Sequence, residues 1–175
     1  MKKKYELTDE TTEVGRSKTL HRIRALKDFG NVKKGDLGGF IEHEDNLSHE
    51  GNCWVAGSHR SFDSGYVFGN AQVFGNAVIS DDAAVYGDAM VYDNAEVFGG
   101  AKVYGDARIY GNAKIYETAF VLGRARVYDH AKVYGFAVVR GRAKIYDHAK
   151  VYGFANIYGK AHICDRTRIL QDIKI

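Results

Sequence analysis

The chain has little of what would place it in a membrane. Across 175 residues no apolar run approaches the roughly 18 residues of a membrane span, and Met1-Lys2-Lys3-Lys4 is followed by no apolar signal core. Membrane insertion is therefore not expected, and a cytoplasmic location is. Cysteine is scarce, with Cys53 and Cys164 alone. Basic residues are missing altogether from Gly65 to Ala101, where five acids lie (Asp81, Asp82, Asp88, Asp93, Glu96), whereas Lys102 to Ile175 holds 14 basic and six acidic residues. The formal net charge of +3 thus hides a chain that turns basic toward its C-terminus. Such a segment attracts anionic partners in general without naming one.

What is abundant is a repeat. VYDHAKVYGFA at 127–137 returns as IYDHAKVYGFA at 145–155, 18 residues later. Within it runs a beat of six: from Val67 every sixth residue is Val or Ile through Ile175, and alanine keeps its own phase from Ala71 to Ala161 before Thr167 and Ile173. A unit this short cannot bury its apolar face alone and needs neighbours to stack on, so the chain reads as a solenoid with six residues per side and 18 per turn. Strand alternation puts residues two apart on one face. Ala and Val/Ile then point inward, while the residue between them and the Tyr or Phe that follows point outward. Glycine in the next position, as at Gly69, Gly87 and Gly105, supplies the corner backbone. About six coils separate the two cysteines, roughly 30 Å at about 4.8 Å per coil, which no disulfide spans.

The beat is absent from residues 1–34. There Tyr5 and Leu7 alternate with polar neighbours, Gly15-Arg16-Ser17 reads as a turn, and Leu20 to Phe29 forms a second segment, a hairpin suited to capping the exposed core of a solenoid. The beat is faint around Leu37-Gly38-Gly39 and returns at Gly51 to Gly57, and Ser61 at an inward position marks an irregular early coil. The expected organisation is a cap with an irregular first coil over 1–50 and a hexapeptide-repeat β-helix over 51–175.

With the aliphatic and small positions matched through residues 67–175, the chain resembles the hexapeptide-repeat family of left-handed parallel β-helices. Its second position departs, being Tyr or Phe where that family prefers small or acidic residues. This tyrosine-rich version, of the VYGDA/VYGNA type, is similar to uncharacterised bacterial and prophage proteins often labelled transferases. The resemblance implies an all-β, left-handed parallel β-helix of three six-residue sides per coil behind a hairpin-like N-terminal cap. A fold of this kind does not name a function.

Several outward residues invite a functional reading. His130 and His148 follow Asp129 and Asp147 at one corner of successive coils, an arrangement open to general base catalysis, the role histidine plays in the family's acyltransferases, or to a merely polar corner where earlier coils carry Asn76, Asn94 and Asn112. No metal site and no cofactor are expected. Those acyltransferases also use a loop that leaves the coil, and the unbroken beat offers none. Phe136 and Phe154, with Phe120 beside them, gather apolar surface at another corner, as interfaces do. Tyr128 and Tyr146 run beside Arg126 and Lys144, and Lys132 and Lys150 line a second face.

The expected function is a non-enzymatic binding or scaffold protein whose aromatic and basic faces engage a protein partner; the prophage resemblance would fit a phage-encoded inhibitor of a host defence complex. The alternatives are an acyltransferase of the hexapeptide class and non-specific nucleic-acid binding, with bases stacked on tyrosines and phosphates on lysines and arginines. The final coil, with no further sequence to cover it, suggests a homodimer through Ile169, Ile173 and Ile175.

Overall fold

Alternation of small and branched residues at a period of six dictates very short strands joined by tight corners, and that is what the chain forms. The computed structural model describes residues 3–15, 17–58 and 60–174. Two-residue strands such as Arg108–Ile109, Lys114–Ile115 and Phe120–Val121 follow one another along the repeat. Each pairs in parallel with the strand one coil away, as Met90 does with Arg108 and Arg108 with Arg126. Three parallel sheets result. The first face runs from Trp54–Val55 to His162–Ile163 in seven strands, the third from Tyr66–Val67 to Ile173–Lys174 in seven, and the second belongs to a sheet of ten that includes the N-terminal strands.

The interior is a column of aliphatic side chains lined by alanines. Every Ala from Ala71 to Ala161 and every Val or Ile from Val67 to Ile157 in the two phases is fully buried, and Ile163 is 6% exposed. Alanine sits next to the corner, where its small side chain leaves room for the backbone to bend. The corner residue itself adopts the left-handed conformation, and it is not always glycine: Asp81, Asp93, Asp129, Asp147 and Asp165 have φ between 54° and 59°. Aspartate reaches across to the next coil there. The carboxylates of Asp81, Asp93, Asp129 and Asp147 accept the backbone N–H of Gly99, Gly111, Asp147 and Asp165 at 3.0–3.4 Å. A hydrogen bond of this kind, worth about 1 kcal/mol, offsets much of the cost of about 1–2 kcal/mol for a side chain in the left-handed region.

At the N-terminus, β1 (Tyr5–Val14) and β2 (Lys18–Ala25) form the antiparallel hairpin, and β3 (Leu37–Ile41) pairs antiparallel with β2 and parallel with Arg60–Ser61. The hairpin thus joins the second face and covers the first coil. Tyr5 is fully buried; its hydroxyl lies 2.8 Å from the carbonyl oxygens of both Glu44 and Leu47, and its ring meets Trp54 edge-on. Lys4 is buried too, its ammonium donating to the carbonyls of Glu50 at 3.3 Å and Cys53 at 2.9 Å and to the Cys53 thiol at 3.2 Å. Gly38 is required by closeness, since a Cβ there would lie 2.5 Å from Ile23 Cγ1 and 2.6 Å from the Val55 carbonyl oxygen.

The beat slips at both ends. Phe40 pairs with Arg60 and Leu47 with Val67, while Trp54 pairs with Gln72, so the first coil holds two extra residues between Leu47 and Trp54. Asn46 and the Lys4 ammonium make good the carbonyls this longer corner leaves unpaired: the Asn46 amide donates to Asp63 O and Gly65 O and accepts from the N–H of Glu42 and His43. Ser61 is fully buried and its hydroxyl donates to Gly65 O at 3.0 Å. At the other end Ile157 pairs with Ile173, not with residue 175, so the expectation of an unbroken beat to the last residue is wrong by two positions. No glycine stands at that corner. Leu170 closes under Gly153, and the Asp172 carboxylate accepts the Asn156 N–H at 2.9 Å.

No helix among the described residues is long and apolar enough to cross a membrane. Cys53 is buried and Cys164 half-buried, and both thiols are free.

Candidate functional sites on the coil surface

The outward aromatics form ladders because residues 18 apart stand one above another. On the first face Phe74, Tyr92, Tyr110, Tyr128 and Tyr146 stack at 4.8–5.1 Å between ring centroids with planes within 4°. On the second Phe98, Tyr116, Tyr134 and Tyr152 stack at 4.8–5.2 Å. The third face carries a ladder of its own, Tyr66, Phe68, Tyr86 and Tyr104 at 4.6–4.8 Å. Burial against these neighbours pushes up the hydroxyls of Tyr92, Tyr110, Tyr116, Tyr128 and Tyr134. The Tyr146 hydroxyl is pushed up to about 12, first by the neighbouring Cys164 thiol. Ring faces consumed by self-stacking leave only edges to solvent. Stacking of bases on these tyrosines, the mechanism expected for nucleic-acid binding, therefore has no free ring face along the ladders' length.

His130 and His148 stack on each other at 4.9 Å and 8°, both exposed. They continue the column of Asn76, Asn94 and Asn112, whose side-chain amides bond from coil to coil at 3.2 and 3.4 Å. The acids beside them are engaged elsewhere: Asp129 and Asp147 hold the left-handed corner and accept backbone N–H groups of the next coil. The geometry thus brings the two imidazoles together and, among the described residues, gives neither a carboxylate to orient it. Among the described residues, the one group whose ligand atoms converge is Asp147, Cys164 and Asp165, within 4.8 Å of one another. Asp147 there accepts from Asp165 N, and the Cys164 thiol donates to Asp165 at 3.3 Å.

A second histidine arrangement lies in the cap, outside the repeat and without a sequence pattern that could reveal it. His49 stacks on Tyr5 at 4.3 Å, accepts the Lys4 N–H at Nδ1, and places Nε2 3.7 Å from the Glu44 carboxylate. It borders an open groove of 690 Å³ lined in part by Glu44, Asp45, Ser48, Asp63 and Tyr66. Its Nε2 atom is itself buried without a hydrogen-bond partner, and burial holds the ring below the ordinary imidazole range. The ring supports the cap through its stack on Tyr5 and the Lys4 N–H that it accepts.

At the corner between the second and third faces, Phe136 and Phe154 stack at 5.1 Å and remain 56% and 78% exposed. Phe120 and Val138, partners across the third face, are half-buried beside this turn of the coil. Lys132 and Lys150 pair in register on the second face, as do Arg126 and Lys144 on the first. In the final coil Ile169 is half-buried and Ile173 lies in the last strand; Ile175 is outside the described residues.

No known family description matches the chain. Over 60 residues it is 40% identical to a protein of Escherichia coli (strain K12) described as the uncharacterised acetyltransferase YdcK, a match covering 30% of this chain and 18% of that protein. The match and the solenoid together fit the hexapeptide-repeat type of fold that the sequence resembles.

Proposed function

We propose that this chain is a non-catalytic binding scaffold, a rigid β-solenoid that anchors a protein partner at Phe136 and Phe154. The observation that carries the reading is the exposure of this stacked pair, 56% and 78%, where the next most exposed phenylalanine, Phe74, is 37% exposed. Two phenylalanines held rigidly at the crest of a corner lose little freedom when covered, the property of an interface anchor. Lys132 and Lys150, two outward positions away on the second face, provide a cationic rim for acidic groups of that partner. The test is affinity capture from the native host with the intact chain and with Phe136→Ser/Phe154→Ser. A partner held by the intact chain and by His130→Ala/His148→Ala, but lost from the phenylalanine variant, supports the reading. The same partner held by all three refutes it.

Acyl transfer is the second reading, favoured by the acetyltransferase description of the protein matched over 60 residues. Against it stands the regularity of the coil, whose described corners from Val67 to Ile163 carry no loop excursion to wall a cofactor cleft. Saturable acetyl-coenzyme A binding by calorimetry, abolished by His130→Ala/His148→Ala, would favour transfer over the scaffold. A phage-inhibitor role has no support in the match or the fold.

A further inference from the structure

The corner between the third and first faces changes character along the rod. Its column reads Asn52, Asn70, Asp88, Asp106, Arg124, Arg142, Lys160. In the upper part neighbours satisfy one another, Asn70 donating to Asp88 at 3.1 Å and Arg124 meeting Asp106 at 3.3 Å. Below Asp106 no acid remains on the corner. Arg126 and Lys144 sit in register on the first face, and Arg140 sits on the third, braced by a hydrogen bond to Asn156 at 3.2 Å and by the Tyr158 ring at 5.0 Å. Among the described residues none of Arg126, Arg142, Lys144 and Lys160 has a carboxylate partner. Like charges directly opposite on neighbouring strands destabilise a sheet, so this column is held against its own repulsion.

We infer that this convex ridge, centred on Arg126, Arg140, Arg142, Lys144 and Lys160, binds the phosphate backbone of a nucleic-acid duplex without reading its sequence. The ridge carries no exposed apolar anchor such as a protein interface core requires; that anchor is at Phe136 and Phe154, on a different corner. Three coils span roughly 10 Å of the rod at about 4.8 Å per coil. A duplex offers about one charge per 1.7 Å, hence about six over that length, and a single strand about half as many. Five cations packed this closely match the denser polymer. Arginine adds a fork that grips phosphate by two hydrogen bonds. The tyrosine ladders, with no ring faces free along their length, contribute no base stacking, which makes the contact electrostatic throughout.

The test is fluorescence anisotropy with labelled 20-base-pair duplexes of two unrelated sequences. The ridge predicts equal affinity for both and a slope of log K against log salt near about −4.5, equivalent to roughly 500-fold weaker binding at 200 mM than at 50 mM salt. Arg126→Glu/Arg142→Glu should weaken binding at least about 30-fold, and the milder Arg126→Gln/Arg142→Gln should flatten the slope by about 2 units. The glutamine variant relieves repulsion and should melt no lower than the parent, which separates lost binding from lost folding. Lys33→Glu in the cap and Phe136→Ser/Phe154→Ser should bind duplex like the parent; the latter keeps this inference separate from the protein-partner reading. No duplex binding at 50 mM salt would overturn the inference, as would indifference to the arginine changes. So would polyglutamate competing as well as duplex per charge, which would assign the ridge to an acidic protein.

Discussion

Replacing Ile109 by Asp probes the coil at its centre. Ile109 is fully buried between Val91 and Val127 of the adjoining coils. Loss of its apolar burial removes roughly 3 kcal/mol. The carboxyl group must then be buried neutral, and protonating an aspartate of ordinary pKa near 3.9 at pH 7 costs about 4 kcal/mol. The total of about 7 kcal/mol lies within the roughly 5–15 kcal/mol that holds a whole domain folded. Tyr110→Asp, one residue on, removes two ring stacks, with Tyr92 at 4.9 Å and Tyr128 at 4.8 Å. At about 0.5–1.5 kcal/mol per stack it should cost about 1–3 kcal/mol. Because each coil contacts only its neighbours, the Ile109→Asp chain should open locally before it melts as a whole. Urea titration followed by circular dichroism, with limited proteolysis to locate the opening, measures both. Equal losses in the two variants, or a larger loss for Tyr110→Asp, would refute the division of the repeat into inward and outward positions.

Two further expectations concern histidine and aspartate. Because burial depresses the folded-state pKa of His49, its contribution to stability is complete above the unfolded value near 6.5 and is lost as pH falls toward the lowered value. Thermal melting should decline as pH falls below about 6.5 in the parent and less so in His49→Gln, above the range in which the lowered Glu44 carboxyl titrates; an unchanged pH profile in His49→Gln would exclude this role. At Asp147, with φ of 54°, substitution by Gly should stay within about 1 kcal/mol, while Val should cost about 2–3 kcal/mol from left-handed strain and the lost bond to Asp165 N. Chemical denaturation of both variants decides it, and equal tolerance of Val and Gly would remove the corner role.

The repeat makes most of the coil legible in the sequence. A period of six with Ala and Val/Ile in fixed phases admits few other structures, because only stacking on a neighbour buries that stripe, and 18 residues per turn follow from the echo at 127–137 and 145–155. The same arithmetic puts Tyr128 and Tyr146 on the outside of successive coils, where they stack at 5.1 Å. The sites were less legible. Asp129 beside His130 reads as an acid and a base in sequence, yet only the fold shows that the aspartate turns the corner and bonds to the next coil. Sequence adjacency records neither backbone conformation nor which coil a carboxylate reaches.

What the sequence alone determined is the periodic part: which residues face inward, how many make a turn, where charge changes sign along the rod. What the tertiary structure decided lies where the period fails. The buried Lys4 and Tyr5, the enclosed His49, the longer first corner and the shortened last one rest on contacts between residues tens of positions apart with no repeat to announce them. Repetition carries a contact into the sequence by copying it; a contact made once, at an end of the rod, exists only in three dimensions.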